Sequence, residues 1–263
     1  MPERLLAITG GAGRIATAIR PILRERYRLR LADVRPADGI GSLDPSVEEY
    51  IEADVRQMAA AEQVARGAQA ILHLAADPGT GATWDSVRTS NIEATYNVFE
   101  AARRHGVRKV VFASTNHVMG FHHLEEAWPI RTDAEIRPDS LYGVSKAFGE
   151  ALARYFADAF GMSMICVRIG WFTPRTPNHA GLSSLWISAR DLAQLFGLAL
   201  ETDRTFGIYN GTSNNPQRHW DLQTARDELG YAPQDDVSVY PSDGHGSPYV
   251  EPQAGVLRGA PAD

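Results

Sequence analysis

Six short strand-like runs, most of them separated by stretches of helical period, leave this chain of 263 residues few folds to choose from. The runs fall at residues 5–8, 28–32, 50–55, 70–76, 109–112 and 163–169. Runs that are continuous rather than alternating, as at 5–8 and in most of 70–76, are buried on both faces, which is the mark of a parallel sheet covered by its own crossover helices. Segments of helical period at 15–22, 58–64, 84–105 and 140–160 supply those crossovers. The pattern predicts an α/β fold, a doubly wound parallel sheet (Rossmann) over residues 1–170. Beyond Gly170 the texture changes to a Thr/Pro loop at 173–179, helices at 188–200 and 220–229, and a short strand at 206–209. This reads as a small C-terminal substrate lobe, 171–263, whose stretch from Pro241 onward is irregular.

The first strand ends in Thr9-Gly10-Gly11-Ala12-Gly13, and a helical pattern starts at Ile15. Missing side chains at such a turn let backbone N–H groups at a helix N-terminus approach a pyrophosphate. Tight strand-to-helix turns need glycine anyway, so the neighbours decide. The second strand ends at Asp33, where a carboxylate accepts hydrogen bonds from ribose hydroxyls and repels a 2′-phosphate, which favours NAD over NADP; Arg35, two residues on, is the counter-indication. The third strand ends at Asp54-Val55 and faces adenine in such a fold, and the fourth ends in Leu74-Ala75-Ala76, small enough to lie against a cofactor. His73, inside that apolar run, reads as a core histidine. Asn91 lies on the apolar stripe of its helix and needs a partner if buried. The fifth strand stops at Ser114-Thr115-Asn116-His117, which gathers hydroxyl, amide and imidazole at the sheet edge where ligands bind.

Ser140 opens a long helix carrying Tyr142 and Lys146, which leave one face at i, i+4 spacing. A phenol titrates near 10, so using it as a base at neutral pH means stabilising its anion by roughly 3 units, about 4 kcal/mol. A neighbouring ammonium supplies that. Among 26 Lys and Arg residues only Lys109 and Lys146 are lysines, so an amine at 146 stands out against an arginine background. On the same helix Val144, Phe148, Leu152, Tyr155 and Ala159 are expected to point inward, and Gly161 to end it.

A formal charge of −6 argues against a nucleic-acid or anionic-membrane footprint, and no apolar run has membrane-spanning length. Residues 1–4 lead straight into the first strand without a signal-peptide pattern, and Cys166 is the single cysteine, so a cytoplasmic protein is expected. No metal-ligand spacing occurs, since His122 and His123 are adjacent.

In this combination, Thr9-Gly10-x-x-Gly13-x-x-Ala16, Asp33, Asp54-Val55, Leu74-Ala75-Ala76, Asn91, Ser114-Thr115 and Tyr142-x-x-x-Lys146, the chain resembles an extended short-chain dehydrogenase/reductase of the NAD-dependent epimerase/dehydratase family. Residues 112–117, 141–150 and 167–170 look like uronate dehydrogenases and the related archaeal NAD-dependent glucose-6-phosphate dehydrogenases; Asp77-Pro78, Trp84-Asp85-Ser86-Val87 and Leu229-Gly230-Tyr231 lean toward the latter. The resemblance implies NAD, held by Gly10, Gly13, Arg14, Ile15 and Asp33, by Asp54, Val55, Leu74, Ala75 and Ala76, and by Asn91, Tyr142, Lys146 and Ile169. It implies oxidation of a sugar (an aldose, uronate or sugar phosphate) at C1 to the lactone: Tyr142 takes the proton of the anomeric hydroxyl, Lys146 lowers the tyrosine's pKa and holds the nicotinamide ribose, and Thr115 steadies the oxygen. Substrate contacts carried over are Pro78, Thr115, Asn116, His117, Tyr142, Trp171 and Arg175. Where uronate dehydrogenases place an arginine on the carboxylate this chain has Gly181, and Pro78 and Trp171 replace serines, so the distal group is expected to be read differently. Arg175, and Arg218 with His219, are the nearest cations by sequence. A homodimer or larger homo-oligomer through helices 84–105 and 140–160 is implied too. Two other functions fit the same residues: a nucleotide-sugar epimerase or dehydratase, and a non-catalytic NAD-binding regulator.

Overall fold

The computed structural model describes residues 3–37, 40–173, 184–216 and 218–239. Strand β1 (Leu5–Thr9) leads into α1 (Arg14–Leu23), followed by β2 (Arg28–Asp33), β3 (Glu48–Glu52), α2 (Met58–Ala65) and β4 (Ala70–His73). Helix α3 (Trp84–Val87) passes through a π-helical segment, Arg88–Glu93, into α4 (Ala94–Arg104). Next come β5 (Lys109–Thr115), a 3-10 turn (Asn116–Met119), α5 (Gly120–Leu124), α6 (Leu141–Phe160) and β6 (Ser163–Ile169). The chain then forms β7 (Trp171–Phe172), β8 (Trp186–Ile187), α7 (Ala189–Glu201), β9 (Phe206–Gly211) and α8 (Gln223–Leu229).

Seven strands form one sheet in the order β3-β2-β1-β4-β5-β6-β9, every neighbouring pair parallel, as expected for strands joined by crossover helices. Its two faces are the two cores. Leu6, Ile8, Leu29, Leu31, Val111, Ile165 and Val167 meet α1 and α7 on one side. Ala7, Ile71, Val110, Phe112, Met164 and Cys166 meet α2, α4 and α6 on the other. Strand order reverses on either side of β1, between β2 and β4, and the crevice at the carboxyl ends beside such a reversal is where open α/β sheets bind ligands. Among the described residues no helix is long and apolar enough to cross a membrane.

Three local expectations change. The strand at 206–209, expected in the lobe, is β9 and extends the main sheet against β6. The third strand lies two residues earlier than its apolar run because β2 pairs with it from Leu29↔Glu48 to Asp33↔Glu52. Glu48 is buried there, with its carboxylate 3.4 Å from the Arg20 guanidinium, a compensation that hydrophobic periodicity does not register. The third change is the orientation of α6. Val144, Phe148 and Tyr155 are exposed, and the buried face is Gly143, Ser145, Lys146, Gly149, Glu150, Ala153, Phe156 and Ala157. Small residues let the helix lie close on β5, and its polar residues are paired: Glu150 accepts from Ser114 Oγ at 2.6 Å and from Arg168 Nε at 2.8 Å and Nη2 at 2.7 Å. Pairing of this kind offsets the cost of desolvating the buried charges, and neither partner could be removed without leaving the other uncompensated.

Candidate active site

One cleft of about 1040 Å3 runs along the carboxyl ends of β2, β1, β4, β5 and β6, at the upper end of ligand-site volumes. Gly10, Gly13, Arg14, Ile15, Asp33, Asp54, Val55, Leu74, Ala75, Ala76 and Ile169 all line it, with Pro78, Thr115, Asn116, His117, Tyr142, Lys146 and Trp171. Arg175 and Gly181 lie outside the described residues.

The glycine turn is held closed. Gly10 has φ +68°, and a Cβ there would stand 2.8 Å from Ala75 N, so no side chain separates the β1 turn from the β4 turn. Helix α1 starts at Gly13 without a side-chain cap and without an acidic residue in its first turn, so its N–H groups and positive end are offered to the cleft. Asp33 receives the Ala12 N–H at 3.0 Å, the Arg35 N–H at 3.1 Å and Arg35 Nε at 3.2 Å. Burial works against its charge, but the hydrogen bonds from Arg35 and Ala12 outweigh it and hold the carboxyl below its ordinary range. Arg35 is thus engaged by the acid whose influence it was expected to oppose. Arg56 holds Asp54 in a bidentate pair, with Nη2 and Nε each 2.8 Å from a carboxylate oxygen. An uncapped helix start beside glycine backbone, with a buried acceptor at the next strand end, fits a dinucleotide's pyrophosphate and ribose.

Asn91 stands apart from the other expected cofactor residues. It is 1% exposed and does not line the cleft. Its Oδ1 accepts the Asp77 N–H at 2.8 Å, and its Nδ2 donates to Asp77 O at 3.1 Å and Ser145 Oγ at 2.9 Å. Ser145 Oγ in turn donates to Tyr142 O at 2.7 Å. Both of its N–H donors and its amide oxygen go into tying the loop after β4 to the start of α6, so it supports the site from beneath. The π-helical turn Arg88–Glu93 places it there.

At the far end Thr115 closes β5, and its hydroxyl, which accepts the His117 N–H at 3.3 Å and donates to Asn116 Oδ1 at 3.4 Å, lines the same end of the cleft as the Tyr142 phenol. Lys146 Nζ donates to Ala113 O at 2.8 Å and sits 5.8 Å from the Tyr142 ring centre. Burial pushes the Tyr142 phenol up to about 12, against the pull of the Thr115 hydroxyl and with a further push from the Asp77 charge. It also pushes the Lys146 ammonium down to about 7. This reverses the expected direction for the tyrosine, because desolvation is the largest cause for both groups. Further positive charge in the cleft would shift the balance toward the phenolate.

His117 and Asn116 sit beside the phenol, and the His117 and Tyr142 ring centres are 5.9 Å apart. His73 is the core residue expected, with Nδ1 2.6 Å from Thr9 Oγ1 and Nε2 3.2 Å from Thr95 Oγ1. Sequence reasoning gave no role to Arg56, Asp77 or Asp139. The adjacent pairs Asp54-x-Arg56 and Asp139-Ser140 were visible, but the Asp139 to His117 contact spans 22 residues and leaves no local signal. Arg218 does not line the cleft; it donates to Asn214 Oδ1, and His219 stacks on Trp128 with ring centres 3.4 Å apart. Among the described residues no cluster of three metal-ligating side chains occurs.

Comparison with known proteins agrees with this geometry. Residues 6–188 match the model of the NAD dependent epimerase/dehydratase family. The chain is 37% identical to an NAD-dependent glucose-6-phosphate dehydrogenase of Haloferax volcanii, over 92% of this chain and 97% of that protein. It is 35% identical to a uronate dehydrogenase of Pseudomonas syringae pv. tomato, over 91% of this chain and 85% of the relative. Among solved structures, a mutant uronate dehydrogenase from Agrobacterium tumefaciens complexed with NAD superimposes with a TM-score of 0.79 at 32% identity, covering 90% of this chain and 86% of that one.

Proposed function

The chain belongs to the NAD dependent epimerase/dehydratase family, and we propose that it oxidises the C1 hydroxyl of an aldose to the lactone, with Tyr142 as base. The observation that carries this is the meeting of Thr115, Tyr142 and Lys146 at one end of a cleft whose other end fits a dinucleotide. When bound, NAD supplies the hydride acceptor and the positive charge of its oxidised ring. Tyr142 takes the proton of the C1 hydroxyl as the C1–H bond is lost with its electron pair, and C1–O becomes the lactone carbonyl. Thr115 holds the same oxygen in line, and Lys146, whose Nζ lies 5.8 Å from the Tyr142 ring centre, supports the phenolate. A regulator needs none of these three groups.

The cleft also supports a neutral sugar. Its described arginines, Arg14, Arg35 and Arg56, stand at the start of α1 and beyond β2 and β3, while the Tyr142 end carries Asp77, Pro78, Asn116, His117 and Trp171. A buried carboxylate or phosphate without a cation loses several kcal/mol of solvation, roughly, whereas the Trp171 face suits the C–H surface of a sugar ring. In this proposal the chain after β6 supplies part of the substrate end, since Trp171, Phe172 and Leu185 line the cleft. The test is incubation with NAD and glucose, galactose, glucuronate, galacturonate or glucose 6-phosphate. Net NADH with a neutral aldose is expected. Epimer formation without net NADH would assign the chain to the epimerases, and a clear preference for uronates would overturn the neutral pocket.

A further inference from the structure

Asp139 does not line the cleft, yet two segments of the fold close around its carboxylate. The residue is 3% exposed. His117 Nδ1 lies 3.0 Å from its Oδ1 and 2.9 Å from its Oδ2. Ser140 Oγ, which accepts the Gly143 N–H at 3.1 Å, donates its own hydrogen to Asp139 Oδ1 at 3.0 Å. The Asp139 N–H donates to His117 O at 3.3 Å. Gly120 is pressed so near that a Cβ there would stand 1.9 Å from Oδ2, so no residue with a side chain fits at that position. The carboxylate is therefore fixed, and it faces donors on both sides.

A carboxylate is an acceptor only, so the hydrogen between Asp139 and His117 belongs to Nδ1. In the neutral ring that leaves Nε2 with its lone pair, and no hydrogen bond of Nε2 occurs among the described residues. His117 lines the cleft beside Tyr142. A pyranose whose C1 is held at Tyr142 offers two neighbours of opposite character: a C2 hydroxyl, which can donate, and a ring oxygen, which can only accept. An accepting nitrogen complements the first and cannot bond the second. We propose that Asp139 is a positioning residue that locks His117 in the Nδ1–H tautomer, so that Nε2 accepts a hydrogen bond from the C2 hydroxyl of the sugar and selects for its presence. This rests on the C1 oxidation proposed above. The physical precedent is the catalytic triad, in which replacing the orienting aspartate by asparagine leaves geometry intact and inverts the tautomer.

Two measurements test it. Long-range 15N–1H correlation on the 15N-labelled full chain, with the His117 signals assigned by their loss in His117→Gln, should show the Nδ1–H tautomer in the native protein and the Nε2–H tautomer in Asp139→Asn. In kinetics, kcat/KM for an aldose should exceed that for its 2-deoxy counterpart by about tenfold, the size of one neutral hydrogen bond with its partner left unpaired on deletion. In Asp139→Asn the Nε2–H can donate to the ring oxygen, which both sugars carry, as well as to the C2 hydroxyl, so the preference should fall, through KM for the hydroxylated sugar, while the 2-deoxy sugar is oxidised nearly as before. A merely structural defect would slow both sugars alike, and that result overturns the proposal, as does an Nε2–H tautomer in the native protein. Should Asp139→Asn not fold, the native tautomer and the native preference decide the matter without it. Failure of every sugar to give NADH would sink the C1 oxidation instead, and the tautomer spectrum would still judge the part assigned to Asp139.

Discussion

Gly149→Ala sets helix propensity directly against packing, and the structure says which wins. In an exposed helix interior alanine is favoured over glycine by about 1 kcal/mol. Here a Cβ at 149 would stand 2.3 Å from Phe112 Cζ and 2.5 Å from Cε1, more than an ångström inside ordinary contact. The Phe112 ring has no room to retreat, being fully buried with Phe99 at 5.7 Å and His73 at 5.8 Å between ring centres. With no room for the ring to move, the clash falls at the upper end of the roughly 1–3 kcal/mol that overpacking costs, so after the gain in propensity a net loss of about 2 kcal/mol is expected. The strain also reaches the chemistry. Lys146 Nζ lies 4.7 Å over the same ring and Tyr142 is one turn further up the helix, so lifting α6 moves both against Thr115. A displacement near 1 Å is worth up to about a hundredfold in rate, and a fall in kcat of about tenfold or more is expected. Urea unfolding followed by circular dichroism gives the first quantity and initial rates give the second. A variant as stable as the native chain, or more so, would show that helix propensity governs this position and that α6 does not lie as close on β5 as described.

Two further predictions concern the body of the protein. Burial lowers the His73 imidazole from 6.5 to about 3, so the unfolded chain binds a proton that the native chain refuses; its contribution is complete above pH 6.5 and is lost as pH falls toward 3. Stability should decline through that window with a slope of about 1.4 kcal/mol per pH unit from this group, and urea titrations should show that portion missing in His73→Leu; parallel slopes in the two proteins would contradict it. Tyr96 on α4 and Val144, Phe148 and Tyr155 on α6 form an exposed apolar face beside the site, each 37% exposed or more. A homodimer through these helices should appear in light scattering at micromolar concentration, with Phe148→Glu shifting it to monomer; a monomeric native chain would refute this assembly.

Some of these features could be read from the sequence, and others depend on pairings that it does not display. The strand runs and the glycine turn announced the parallel sheet because each is a local pattern with a local cause. Tyr142, Lys146, Thr115 and Asp33 were visible for the same reason: each sits at a strand end or helix start that the pattern locates. The inward face of α6 was misjudged because it consists of Gly143, Ser145, Lys146, Gly149 and Glu150, which carry no hydrophobic signal. Those residues are buried by virtue of Ser114, Arg168 and Phe112 across the sheet, and the apolar stripe that periodicity favours is left outside. Asn91 was rightly expected to need a partner, but that its partners would be Asp77 and Ser145, rather than a cofactor, depends on a π-helical turn that no spacing rule indicates. Asp139 was hidden in a helix-entry motif, since Pro138-Asp139-Ser140 explains itself as a cap.

The assignment of Tyr142 as base is tested most directly by Tyr142→Phe, with NAD binding by titration calorimetry and NADH formation from the best aldose measured on the same preparation. The ring is kept and only the hydroxyl is removed, so cofactor affinity should stay within about threefold, while turnover should fall by roughly 10²–10⁴-fold, the usual contribution of a positioned base. Turnover close to that of the native chain would contradict the chemistry assigned to this site.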